Sequence, residues 1–146
     1  MKYHPIDNQL YIQNRKNFMA AMKPKSIAVF NSNDIYPVSA DSTMPFNQHR
    51  DILFLSGVDQ EESILLLFPD AAEQKHREVL FLRETNEHIA TWEGHKYTKE
   101  EATATSGIKN VNWNANYLQT LRPLIGLMPI KSSTYLAFLA RTARKL

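Results

Sequence analysis

The residues of this chain that could carry chemistry are few and widely spaced. Its five histidines are His4, His49, His76, His88 and His95, and none lies in an H-E-x-x-H pair or in another ligand pair backed by a third donor. His88 and His95 are separated by Gly94, which interrupts any helix that would align them, so all five are read as surface histidines. The chain has no cysteine, which excludes a disulfide framework, thiolate metal sites and a Cys nucleophile. Ser56-Gly57 lacks the G-x-S-x-G elbow of a serine hydrolase. Gly57, Gly94, Gly107 and Gly126 lie too far apart for a phosphate-cradling loop. Glu61-Glu62 reads as solvated loop charge, and Glu100-Glu101 as charge favourable to a helix start. Two clusters stand out. One is Met44-Pro-Phe-Asn-Gln-His-Arg-Asp51, where Asp51 beside Arg50 reads first as a structural ion pair or cap. The other is Thr91-Trp-Glu-Gly-His95, whose Trp92 could serve a satellite core or meet a partner.

Composition bounds what such clusters can belong to. With 146 residues, 43% of them hydrophobic and 22% charged, the chain is one ordinary globular domain with a real core. The charge balance of 17 − 15 = +2 gives no pull towards nucleic acid or an anionic membrane. The longest apolar run, Tyr135–Ala140, is far short of the roughly 20 residues of a membrane span. The opening MKYHPIDNQ has no apolar stretch, so no secretory signal is expected and a cytoplasmic protein is.

The elements that must position the clusters follow from hydrophobic spacing. Leu10, Tyr11, Phe18, Met19 and Met22 predict a helical face over residues 8–22, with Asp7 or Asn8 as N-cap and Pro24 ending it. Ile27–Phe30 predicts a strand followed by a turn-rich loop, and the two prolines of 35–47 predict a surface loop. Ile52–Leu55, Ile64–Phe68 and Val79–Leu82 are continuous apolar runs and read as three strands covered on both faces, with connections short enough for antiparallel neighbours. Glu87–Trp92 could form one or two helical turns. Thr98-x-x-Glu101 is a capping box, so 99–106 is expected to be a helix ended by Gly107. Val111–Trp113 reads as a short strand, Asn114 as the cap of a helix interrupted by Pro123, and Ser133–Leu139 as strand or helix. The whole predicts an α/β layered domain.

These blocks, in this order, resemble a known family. Met44-Pro-Phe-Asn-Gln-His-Arg-Asp-Ile-Leu-Phe-Leu-Ser-Gly57 followed by Glu62-Ser-Ile-Leu-Leu-Leu-Phe68 is similar to the "P-[YF]-R-Q-x-x-D-F-x-Y-L-T-G-…-E-A-x-L-x-L" signature of aminopeptidase P. Val79-Leu-Phe-Leu-Arg83, Thr91-Trp-Glu-Gly94 and Gly107 resemble its "L-F-x-R-…-W-x-G-[RK]-…-G" continuation, and Asn14-Arg-Lys16 more loosely its "R-R-x-x-L" helix. The agreement covers roughly residues 8 to 115.

The resemblance implies a non-catalytic N-terminal domain over residues 1–146, with a mixed sheet of about six strands flanked by helices: the creatinase/aminopeptidase P N-terminal fold, which is ribonuclease H-like. It implies that the pita-bread catalytic domain is absent from this chain, which is then a truncated or natural fragment. That second domain would carry two divalent metals, manganese in most members, which activate water for cleavage of the bond before proline. This chain would hold no catalytic residue, cofactor or metal. Its implied partners are peptides with proline at the second position and further copies of the full-length protein in a homo-oligomer, with no nucleic acid and no membrane. In that family the Trp of W-x-G reaches a neighbouring subunit's cleft, which points to Trp92, and the Asp of D-F joins a network near the site, which points to Asp51. Asn47 stands where the family has Arg, losing a charge and bidentate capacity, and His95 stands at the Arg of W-x-G-R. Asn47 and His95 complete the cleft or subunit-contact candidates. A prolidase or creatinase N-terminal domain, or a non-enzymatic peptide- or protein-binding module of this fold, are the alternatives.

Overall fold

A computed structural model describes residues 6–40, 42–85 and 94–126 and the backbone of 137–138. Along these residues run α1 (Asn8–Ala21), β1 (Ala28–Asn31), β2 (Pro37–Ser39), β3 (Ser42–Thr43), α2 (Arg50–Ser56), β4 (Ile64–Leu67), β5 (Glu78–Leu82), α3 (Lys99–Ser106), β6 (Val111–Trp113), α4 (Tyr117–Gly126) and β7 (Ala137–Phe138), with single 3-10 turns at Gln74–His76 and Asn114–Asn116. The main sheet has the order β6-β5-β4-β1-β7. β4 runs antiparallel to β1 and β5, while β6 and β7 run parallel to their neighbours. This is the expected mixed α/β layering. Instead of about six strands, the described residues show four well-formed strands and a fifth, β7, of two residues. Within the expected loop over 35–47, β2 and β3 form a small separate hairpin.

Continuous apolar strands need cover on both faces, and the register shows how it is supplied. Phe30 pairs with Leu65 and Leu65 with Leu80, whereas Val29 pairs with Leu66 and Leu66 with Val79. Successive side chains point to opposite faces. The first set packs under Ile52 and Leu55 of α2, Ala102 of α3 and Phe18 and Met19 of α1. The second set packs under Leu121 and Leu124 of α4. Three helices therefore cover one face and α4 covers the other.

One expected strand is a helix. Ile52–Leu55 lies within α2, where Ile52, Leu55 and Ser56 are buried and Phe54 is 60% exposed. A short apolar run fits either period, and the ends decide. His49 caps the N-terminus through its ring nitrogen, and Gly57 ends the helix in the left-handed conformation at φ +72°. A Cβ on Gly57 would clash with the Tyr11 ring, so α1 packs directly against this turn.

Three other expectations change in detail. In α1, Asp7 is the N-cap, but Leu10 faces outward and Arg15 faces inward beside Tyr11. Asn114 lies in the 3-10 turn that leads into α4 instead of capping it, and Pro123 sits inside α4. The capping box of Thr98 and Glu101 and the Gly107 terminus of α3 are as expected. The helical turns expected over Glu87–Trp92 lie outside the described residues, as does most of Ser133–Leu139.

Arg15 is completely buried. Its Nη1 donates to the carbonyls of Leu55 (2.8 Å) and Ser106 (2.9 Å), and its Nε donates to the Glu78 carboxylate at 3.1 Å. Those carbonyls belong to the last turns of α2 and α3, which no further helical N–H can satisfy. A cation there also meets the negative ends of both helix dipoles. The two termini are built alike: Ser56 and Ser106 each donate back to the residue four before (Ile52, Ala102) and accept from the residue two after (Val58, Ile108). Asn14 and Asn8 of α1 donate to Phe54 and Ala104 in those same turns.

Two predictions follow from these contacts. Replacing Arg15 by Met leaves two helix-end carbonyls and Glu78 without their cation, so urea unfolding should show a loss of about 3 kcal/mol. A loss under about 1 kcal/mol would mean that the clamp is only a surface-grade contact. Burial also raises the phenols of Tyr11, Tyr97 and Tyr117 above their ordinary value of 10.0. The folded state thus holds those protons more tightly than the unfolded chain. Their contribution is complete below pH 10 and is lost as pH rises through the raised folded values. The urea midpoint should fall above pH 10, and Tyr97→Phe should flatten that fall.

Candidate functional site

The cluster residues gather at one end of the sheet. Asn31 at the close of β1 pairs with Ile64 at the opening of β4, Ile64 pairs with Phe81, and Leu82 at the close of β5 pairs with Trp113 at the close of β6. From this end spring the segments 32–49, 57–63 and 94–98, and the N-termini of α2 and α3 open beside them. The opposite end of β5 is Glu78, held by Arg15.

Gln60 joins the segments. It is buried, its side-chain Oε1 accepts from the backbone N–H of Tyr97 at 2.6 Å, and its carbonyl accepts from Gln48 Nε2 (2.8 Å) and Ser63 Oγ (2.7 Å). Gln48, also buried, donates in addition to the Val58 carbonyl, while its Oε1 accepts from the His49 N–H at 2.8 Å. Ser32 and Ser63 exchange two further hydrogen bonds that hold the end of β1 against the start of β4. The loop before α2 and the loop before α3 are therefore each tied to the same turn. The Gln48 amide suits this task because it offers donor and acceptor without a charge to desolvate; Gln60 uses only its Oε1, and its Nε2 is buried without a hydrogen-bond partner among the described residues.

Charge is added next to this hub. The Glu61 side chain is 7% exposed and pairs with Lys96, and Arg83 approaches both Glu61 (3.8 Å) and Glu62 (3.7 Å). Glu61 is thus a buried, doubly partnered carboxylate, not the solvated loop charge expected from its position beside Glu62; only Glu62 is exposed. The Asn114 side chain donates to the Glu62 carbonyl, and Lys99 lies 4.6 Å above the Trp113 ring, a cation–π distance. Burial raises the Tyr97 phenol, with the carboxylates of Asp59 and Glu101 adding to the effect and a hydrogen bond with Thr105 opposing it.

The candidate residues take separate partners within this framework. Asn47 is exposed, donates to the Pro45 carbonyl, and accepts from Asn33 at its own carbonyl. Asp51 lies in the first turn of α2; its carboxylate is 3.8 Å from His49 Nδ1, so its partner is His49 and not Arg50. His95 Nε2 lies 3.1 Å from Glu101 Oε2, the capping-box carboxylate. Trp92 lies outside the described residues. The structure brings the segments bearing Asn47, Asp51 and His95 to one hub, while their side chains point to local partners. Gln48 stands within the quoted motif block and could have been singled out there. Gln60, Glu61 and Lys96 carry no motif, because nothing local marks a loop residue as buried.

Among the described residues no group of three or more His, Asp and Glu side chains is placed to hold a metal ion, so those residues do not fit a two-metal centre. No helix among them is long and apolar enough to cross a membrane. What the arrangement offers is a fixed set of hydrogen-bonding and charged groups on loops anchored to a rigid sheet.

The family model described as aminopeptidase P, N-terminal domain, matches residues 11–129. The chain matches none of the curated proteins. Among solved structures it is similar to Pseudomonas aeruginosa aminopeptidase PepP, with 28% identity and a TM-score of 0.75, covering 82% of this chain and 27% of that one. Escherichia coli aminopeptidase P in its low-pH form gives 24% identity and a TM-score of 0.71 over 83% of this chain and 27% of that one. The same enzyme with the inhibitor Pro-Leu gives 24% and 0.72 with the same coverage. The chain thus spans about a quarter of the length of these structures. With the matched span running from α1 through the end of α4, the chain belongs to the aminopeptidase P N-terminal domain family.

Proposed function

We propose that this chain is the substrate-shaping domain of a metal-dependent Xaa-Pro aminopeptidase and carries no catalytic residue of its own. The observation that carries this reading is the convergence of the 44–51 and 94–98 segments on Gln60 in a chain of this family. In this reading the loops wall a cleft that admits extended peptides with proline at the second position, and Trp92, Asp51, His95 and Asn47 face that cleft or a neighbouring subunit of a homo-oligomer. Fixed loops on a rigid sheet suit that role, since a wall restricts access only if its groups hold their positions. The divalent metals, manganese in this reading, belong to a separate pita-bread domain. The working compartment is the cytoplasm, with neither nucleic acid nor membrane as partner.

Two experiments test it. The purified 146-residue chain supplied with manganese should hydrolyse an Xaa-Pro peptide no faster than a protein-free blank. Metal-dependent turnover by this chain would refute the non-catalytic role. In the two-domain peptidase that the reading calls for, Trp92→Ala should lower kcat/KM about tenfold, in the range of an aromatic hot spot, without shifting Tm. Unchanged kinetics at saturating metal would remove Trp92 from the cleft.

A further inference from the structure

Two cations well apart in the chain meet on one carboxylate oxygen. Arg83, directly after β5, and Lys96, shortly before the Thr98 cap of α3, both reach Oε1 of Glu61. The Lys96 side chain donates to that oxygen and is only 13% exposed, against 63% for Lys75 on the surface. The turn that carries Glu61 is itself fixed. Glu62 lies in the left-handed region at φ +53°, which turns the two neighbouring carboxylates apart, Glu61 inward and Glu62 outward. A side-chain-bearing residue stays in that conformation only where its surroundings hold it. Here the Asn114 side chain donates to the Glu62 carbonyl, the Ser63 N–H to Ser32 Oγ, and Ser63 Oγ to the Gln60 carbonyl. The 94–98 segment is joined to this turn at two consecutive residues, by charge at Lys96 and by the Tyr97 N–H on Gln60 Oε1.

We propose that Glu61 is a positioning residue for the 94–98 wall, its charge fixing where that segment stands against the 57–63 turn. The Tyr97 bond joins neutral groups and fixes a single backbone atom. Glu61 instead takes up the Lys96 ammonium in a place with little water and sets it beside Arg83. With the carboxylate made neutral, the two cations repel each other there, and a poorly solvated charge without its partner is costly enough to drive a move. Arg83 follows a central strand and keeps Glu62 at 3.7 Å, so Lys96 is the partner that leaves, on a flexible stem that reaches water readily. The link to peptide handling rests on the function proposed above; the anchoring itself does not.

Lysine acylation of the 146-residue chain under native conditions, read residue by residue by mass spectrometry, tests the anchor without a peptidase assay. Glu61→Gln keeps the size and a hydrogen-bonding oxygen but removes the charge. It should raise labelling of Lys96 relative to Lys75 at least about tenfold and speed hydrogen exchange of the Tyr97 amide. The Gly57 and Gly107 amides, bonded to Leu53 and Thr103 at the Arg15 end, should keep their protection. Glu61→Asp retains the charge and should recover most of the Lys96 protection, and Lys96→Gln, which breaks the pair from the other side, should speed the Tyr97 amide as Glu61→Gln does. Lys96 labelled as fast as Lys75 in the unaltered chain, no change in Glu61→Gln, or an equal loss of protection at Gly57 and Gly107 would overturn the proposal. In a two-domain peptidase Glu61→Gln should raise KM about fivefold with kcat held within about twofold, since a wall holds the peptide and does not react. If the labelling result holds and KM does not move, the anchor stands and the placing of 94–98 in the cleft falls.

Discussion

The placement of α2 and α3, and so of the loops that lead into them, depends on one guanidinium at the opposite end of the sheet. Arg15 holds the last turns of α2 and α3 together and ties both to Glu78 at the start of β5. Three acceptors around one planar cation fix orientation as well as distance, since its donors lie in a rigid fork. Burial lowers the guanidinium from its ordinary value, and the Glu78 charge counters that effect; the group stays charged because a carboxylate and two helix C-termini surround it. The small termini around it make the approach possible. Gly57 meets the Tyr11 ring and Gly107 meets Ile12, both at distances no Cβ would permit.

With their C-termini clamped and their apolar faces on the sheet, α2 and α3 present their N-termini at the opposite end. Gln48 and Gln60 satisfy backbone groups that loops cannot satisfy among themselves, and the Lys96–Glu61–Arg83 cluster adds charge close to the core. The loop framework is thus built on buried neutral amides, with ion pairs beside it and His49 and His95 nearer its surface. Such layering keeps the loops in place while leaving their outer groups open to solvent.

Much of this was legible in the residue pattern, and the failures have physical causes. The covered strands Ile64–Leu67 and Val79–Leu82 were readable because a sheet buried on both faces demands unbroken apolar runs. The helix from Lys99 to Ser106 was readable because its capping box and terminal glycine are local signals. Ile52–Leu55 was misread because four apolar residues fit either period, and the deciding cap is a histidine, an uncommon N-cap. Arg15 was missed, and Leu10 placed on the wrong side, because a cation is buried only when acceptors from distant segments converge on it; its three partners are 40, 63 and 91 residues away. Glu61 was taken as solvated for the same reason, since Lys96 reaches it from 35 residues on.

The sequence by itself determined the layered α/β class, most of the elements, and the family resemblance, because apolar periodicity, capping boxes and ordered motif blocks act over a few residues. Tertiary structure alone decided which polar residues are buried, which loops meet, and that Asn47, Asp51 and His95 lie on segments joined at Gln60. Those outcomes depend on desolvation and on hydrogen bonds between groups far apart in the chain. Both come into being only when the sheet and its helices have closed on one another.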